Sequence, residues 1–193
     1  MTAPLALPGL ERAAGVVCEH LERGQRRVTL YGRESSGKTS TMRLIAGRLQ
    51  ADAWRVRRTQ MTSDDDGALV ALATLGADLG DEVRRRVFDV TVPWKQKLQA
   101  VVHGLESPGD RTAVLVDDPW FGSPEEAPSL FAERSVDLLD EIERTPSLSL
   151  VLSRSDHVWH HGRFISFQTS CMSSCSAPAP GSWWLSARRP TTG

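Results

Sequence analysis

The sequence has little of several features that mark special classes of protein. Only three of its 193 residues are cysteine, too few for a disulfide scaffold. Its longest apolar runs, at 113–116 and 148–152, fall far short of the ~20 residues that span a bilayer. No basic and apolar leader opens the sequence. We therefore expect a soluble, cytoplasmic protein with no membrane partner.

An excess of positive charge is also missing. The chain has 23 Lys and Arg against 24 Asp and Glu, a formal net charge of -1. Proteins that bind nucleic acid usually present a basic surface to the phosphate backbone. The composition therefore gives no indication of a nucleic-acid partner.

Acidic residues are absent from residues 157–193, whereas residues 1–156 contain all 24 of them. The later segment is rich in Ser, Trp and Pro and has no sustained period of 2 or 3.6 residues. We predict one domain over residues 1–156 and a mostly disordered tail over 157–193. Residues 164–167 are the one candidate edge strand in that tail.

A zinc site is the alternative interpretation of the tail, since imidazole and thiolate are ligands that Zn²⁺ prefers. The order and spacing of the histidines and cysteines in the tail match no standard zinc motif closely. The candidate ligands are His157, His160, His161, Cys171 and Cys175. The third cysteine, Cys18, lies on the apolar side of a predicted helix, and we expect a core residue there.

Before residue 156, helical and extended patterns alternate. Helices are predicted at 10–22, 38–49, 64–79, 94–105 and 128–144. Strands are predicted at 27–31, 54–60, 113–116 and 148–152. Alternating strands and helices imply crossover units. The predicted fold class is α/β, with three layers and a mostly parallel sheet flanked by helices.

One motif carries most of the predicted chemistry. Residues 32–39 fit the P-loop (Walker A) pattern G-x4-G-K-[ST] between a predicted strand and a predicted helix. Backbone amides of such a loop and the helix amino terminus form an anion site. We predict that the fold is that of a three-layer P-loop NTPase and that the loop binds the phosphates of ATP. The predicted binding residues are Gly32, Arg33, Glu34, Ser35, Ser36, Gly37, Lys38, Thr39 and Ser40.

Individual residues of this loop have separate predicted roles. The Lys38 ammonium reaches the β and γ phosphates, and the Thr39 hydroxyl ligates Mg²⁺. Arg33 is expected to face solvent. A glycine- and serine-rich surface turn is the alternative, but the strand before the loop and the helix after it favour the phosphate site.

A second motif is an apolar strand that ends in two carboxylates. Asp117 is predicted to hold Mg²⁺, and Asp118 is predicted to orient or deprotonate the attacking water. The alternative is a turn, since Pro119 follows.

A third motif, at residues 150–154, is an apolar strand that ends in Ser153 and Arg154. If it neighbours the Asp117 strand, Arg154 is predicted to stabilise charge on the γ-phosphate.

Together the three motifs resemble those of the STAND ATPases, the group with NB-ARC and NACHT domains within the AAA-like P-loop class. The resemblance covers residues 10–156 and implies an ATP/ADP switch. The resemblance implies that Asp117 binds Mg²⁺, that Asp118 acts in hydrolysis, and that Arg154 senses the γ-phosphate. Nothing after Arg154 resembles the family's helical lid, so we expect the resemblance to stop after the fourth core strand.

Two other functions remain open from the sequence. One is a non-hydrolysing module that holds nucleotide and contacts a protein partner, or a second copy, through residues 121–129. The other is a small phosphotransferase, although no acceptor motif is visible. The guanine-specific Asn-Lys-x-Asp signature is missing, so ATP rather than GTP is the predicted nucleotide.

Overall fold

The computed structural model describes residues 8–32, 35–61, 67–106, 109–117, 130–155 and 184–187. This part of the chain contains six helices and five strands. In chain order they are α1 (Pro8–Glu22), β1 (Arg27–Gly32), α2 (Lys38–Ala51), β2 (Arg55–Gln60), α3 (Gly67–Gly76), α4 (Asp81–Phe88), α5 (Trp94–Leu105), β3 (Thr112–Asp117), α6 (Leu130–Arg144), β4 (Leu148–Ser155) and β5 (Trp184–Ala187).

The strands form one sheet in the order β2-β3-β4-β1-β5. The first four strands in that order are parallel, and β5 pairs antiparallel with β1. Parallel neighbours need crossover connections, and the helices between them supply these. The predicted α/β class with a mostly parallel sheet is confirmed.

The sheet separates two hydrophobic cores, because successive side chains of a strand point to opposite faces. On β3, Val114 and Val116 pack in one core with α3, α5 and α6. Ala113 and Leu115 pack in the other core with α1 and α2. All six residues of β3 are buried, as the predicted apolar run requires for a central strand.

Two features of the fold differ from the sequence prediction. The helix predicted at 64–79 ends at Gly76, and a second helix, α4, follows Gly80. This helix has three arginines, and of its residues only Val87 is buried, so its apolar stripe is too narrow to be recognised. The second feature, β5, is four residues long and obtains its hydrogen bonds from β1. The edge strand predicted at 164–167 lies outside the described residues.

Cys18 is buried in the core between the sheet and α1 and α2, as predicted. Burial raises the pKa of its thiol to about 11 from an ordinary value of 9.0.

In the described part of the chain, no helix is long and apolar enough to span a membrane.

We predict that Cys18 of the folded protein resists alkylation, because burial blocks the reagent and suppresses the reactive thiolate. At pH 8.5, iodoacetamide should modify Cys18 much faster in urea than in buffer. Peptide mass spectrometry measures this residue separately from the other two cysteines. Equal rates in the two solvents would show that Cys18 is not a core residue.

Candidate functional site

The candidate phosphate loop lies where sequence reasoning placed it, between the end of β1 at Gly32 and the start of α2 at Lys38. Arg33 and Glu34 lie outside the described residues. The strand, loop and helix order is the context that the P-loop pattern requires. The start of α2 is therefore at the carboxyl edge of the parallel sheet, where ligands of such folds bind.

The backbone of this loop has left-handed conformations on either side of Ser36. Ser35 has φ of 59° and Gly37 has φ of 89°. Alternation of left-handed and ordinary residues turns successive N–H groups toward one side and forms an anion-binding concavity. Gly37 is the N-cap residue of α2, so the first amides of the helix and the positive end of its dipole adjoin this turn.

Leu10 of α1 packs closely against Gly37. A Cβ atom at Gly37 would lie 3.1 Å from Leu10 Cδ2 and 3.3 Å from Leu10 Cδ1. Glycine is thus favoured at this position both by the positive φ and by the approach of α1. The amino end of α1 thereby contacts the candidate site.

Lys38 is buried, with only 7% of its surface exposed. Its Nζ donates a hydrogen bond of 3.0 Å to the carbonyl oxygen of Gly32. The side chain therefore reaches back across the loop to the residue where the loop begins. This places an ammonium group beside the turn of 35–37.

Thr39 and Ser40, in the first turn of α2, are exposed. Thr41, one residue further, is buried, and its hydroxyl donates to the Gly37 carbonyl oxygen at 3.1 Å. The hydroxyls of Thr39 and Ser40 are thus accessible to a ligand, whereas that of Thr41 stabilises the start of the helix.

Asp117 ends β3 on the same face of the sheet as Ala113 and Leu115, the face that packs against α2. Ser153 of β4 lies two residues after Val151 and therefore on the same face of the strand, and Val151 packs in the same core. Ser153 Oγ donates a hydrogen bond of 2.5 Å to Asp117 Oδ1. Ser153 is fully buried and Asp117 is 7% exposed. The neighbour of Asp117, Asp118, lies outside the described residues.

Arg154 lies on the other face of the sheet from Ser153, because side chains alternate along β4. It is 4% exposed, and it pairs in register with Tyr31 of β1. Burial, and to a smaller extent the charge of Arg27, lowers the pKa of its guanidinium below the ordinary value, and the electrostatic interaction and hydrogen bond with Tyr31 partly offset this effect. Its role at the γ-phosphate stays a prediction.

The structure thus brings together Gly32, Lys38 and the turn of 35–37, and it pairs Asp117 with Ser153. Sequence reasoning named the Ser153 hydroxyl as part of a motif but gave it no role. The missing signal was the register of β3 against β4, in which Val116 lies beside Leu152. One further step along both strands sets Asp117 beside Ser153.

The oxygen donors of the candidate site suit a hard cation rather than zinc. Thr39 and Asp117 offer oxygen ligands, which Mg²⁺ prefers. Within the described ranges, no three His, Cys, Asp or Glu side chains group together as ligands of a metal. The histidines and cysteines of the predicted zinc alternative lie outside those ranges.

No protein-family model matches the sequence, and no curated protein matches it. Among solved structures, the chain is similar to the ORC2 protein of Aeropyrum pernix in its ADPNP-ADP complexes, with a TM-score of 0.53 and 20% identity over 89% of this chain and 46% of that one. AMPPCP-bound DnaA from Aquifex aeolicus gives a TM-score of 0.42 and 17% identity over 79% of this chain and 40% of the other.

This chain therefore spans about half the length of the ORC2 chain. Its parallel sheet with flanking helices has the same class of α/β fold as that ORC2 protein. At this level of identity, the similarity defines the class of fold.

We predict opposite effects on stability from one substitution at two glycines of this region. Gly37→Ala should lower the free energy of unfolding by about 1–2 kcal/mol, because a Cβ is disfavoured at positive φ. Gly47→Ala, in the exposed middle of α2 with nothing within 4 Å of the new Cβ, should raise it by about 0.5–1 kcal/mol. Urea unfolding of both variants measures the difference. A Gly37→Ala variant as stable as Gly47→Ala would contradict the described loop conformation.

Proposed function

We propose that the domain binds ATP with Mg²⁺ and hydrolyses it slowly as a nucleotide switch. The observation that carries this proposal is the loop between β1 and α2, in which left-handed residues surround Ser36 and the Lys38 ammonium folds back to Gly32. Amide groups, a helix amino terminus and a buried cation in one place suit a chain of phosphates.

Charge balance supports a polyphosphate as the ligand. The phosphates would lie against the amides of 35–40, where the helix dipole favours negative charge. Lys38 would neutralise the β and γ phosphates. The similar ORC2 protein was solved in ADPNP-ADP complexes, which supports the same class of ligand here.

Thr39 and Asp117 are the residues that would hold Mg²⁺. The ion would neutralise charge on the phosphates and orient the γ-phosphate for attack. The exposed Thr39 hydroxyl and the hydrogen-bonded Asp117 carboxylate fit this role, since both are oxygen donors.

The hydrolytic part of the proposal rests on Asp118, which would orient or deprotonate water. Arg154, which lies on the opposite face of β4 from Ser153, is proposed to assist at the γ-phosphate from that side of the strand end, as the STAND resemblance implies. Hydrolysis by the domain alone should be slow until a partner or a lid supplies a further cation, because such a cation is worth about 10³–10⁵ in the rate of these reactions. Use as an ATP/ADP switch in the STAND manner belongs to the same proposal.

Replacing Lys38 should abolish stabilisation by nucleotide. For the wild type, Mg-ATP at a hundredfold excess over its Kd should stabilise the fold by ~2.7 kcal/mol, which is about 5–10 °C in Tm for a domain of this size. The Lys38→Ala variant should show little shift, because the ammonium no longer offsets phosphate charge.

The control for that experiment is Lys95→Ala, which removes an exposed lysine from α5 and should keep the wild-type shift. Mg-ADP and Mg-GTP serve as comparison ligands. A full shift in the Lys38→Ala protein would exclude the loop as the nucleotide site.

Asp118→Ala separates an ATPase from a module that only binds nucleotide. If the domain is an ATPase, this variant should release phosphate at least about 10²-fold more slowly, with its affinity for ATP nearly unchanged. Asp110→Ala, at an exposed position two residues before β3, is the matched control. A wild type that binds ATP but releases no phosphate would favour the non-hydrolysing module, and transfer of phosphate only with an acceptor present would favour a phosphotransferase.

A further inference from the structure

The carboxylate of Asp117 is held by a residue from the neighbouring strand. Its Oδ1 accepts a 2.5 Å hydrogen bond from Ser153, a length typical of a hydroxyl bound to a carboxylate. Ser153 is fully buried on β4, which pairs parallel with β3. Both side chains are thus fixed by strand backbones, and the hydrogen bond selects one orientation of the Asp117 carboxylate.

We propose that Ser153 is a positioning residue for the magnesium ion. The Ser153 hydroxyl hydrogen-bonds to Oδ1 of Asp117, so Oδ2 is the oxygen that would bind the metal. This inference rests on the proposed Mg-nucleotide function. Groups that hydrogen-bond a metal-binding side chain orient it, and their loss commonly weakens metal binding about 10–100-fold.

Ser149 provides a matched comparison on the same strand. It shares the face of Ser153, since both alternate with Leu150 and Leu152 of the opposite core. It lies beside Ala113, near the start of β3, and is also nearly buried. Ser149→Ala therefore removes a hydroxyl from the same strand and face without touching Asp117.

The experiment measures ATP binding by calorimetry with EDTA and with Mg²⁺, and compares the two Kd values for each variant. In the wild type and in Ser149→Ala, Mg²⁺ should tighten binding. In Ser153→Ala, binding in EDTA should change by less than about twofold, while the gain from Mg²⁺ should fall about tenfold or more. A Ser153→Ala protein with the wild-type gain would overturn the proposal.

A shape-matched pair of variants separates loss of the hydroxyl from disturbed packing. Ser153→Thr keeps the hydroxyl, and Ser153→Val replaces it with a methyl group in a side chain of the same shape. The threonine variant should keep the gain from Mg²⁺, and the valine variant should lose it. Equal gains in these two variants would overturn the proposal even if Ser153→Ala failed to fold.

Failure of the proposed function has a different signature. A wild type that binds no ATP in either buffer would refute both the nucleotide function and the role of Ser153. A wild type that binds ATP equally well in both buffers would refute the role of Ser153 and leave nucleotide binding intact.

Discussion

The parallel pairing of β1, β3 and β4 is the constraint on which the site depends. Parallel strands end at one edge of a sheet, so Gly32, Asp117 and Ser153 reach that edge from three separate parts of the sequence. The amino end of α2 begins beside them. Strands β3 and β4 contribute side chains to both cores and β1 contributes to one, so the register of the strands is set by the cores as well as by backbone hydrogen bonds.

The pairing register of β4 determines the face of the sheet on which each of its side chains lies. A slip of one residue would exchange Ser153 and Arg154, because side chains alternate. In the observed register Ser153 contacts Asp117, and Arg154 lies beside Tyr31. A buried guanidinium is costly without hydrogen bonds, so the phenol of Tyr31 contributes to the stability of that face. Ser153 and Arg154, although adjacent in sequence, thus make their contacts on opposite faces of the sheet.

Much of this fold was predictable from local patterns. The P-loop motif identified its own strand and helix, and the apolar run before Asp117 identified a central strand. The α4 helix was missed because of its residues only Val87 is buried. Strand β5 was missed because four residues give no period. The bond between Ser153 and Asp117 joins residues 36 apart in sequence, and it follows from strand register, which no local pattern contains.

The central claim concerns the place of the phosphates. A crystal structure of the chain with Mg²⁺ and a non-hydrolysable ATP analogue tests it most directly. The expected result is a β-phosphate within hydrogen-bonding distance of the amides of 36–38, with Mg²⁺ bound by Thr39 and reached by Asp117 directly or through water. A nucleotide bound away from the β1–α2 loop, or a loop whose amides all turn away from the phosphates, would contradict it.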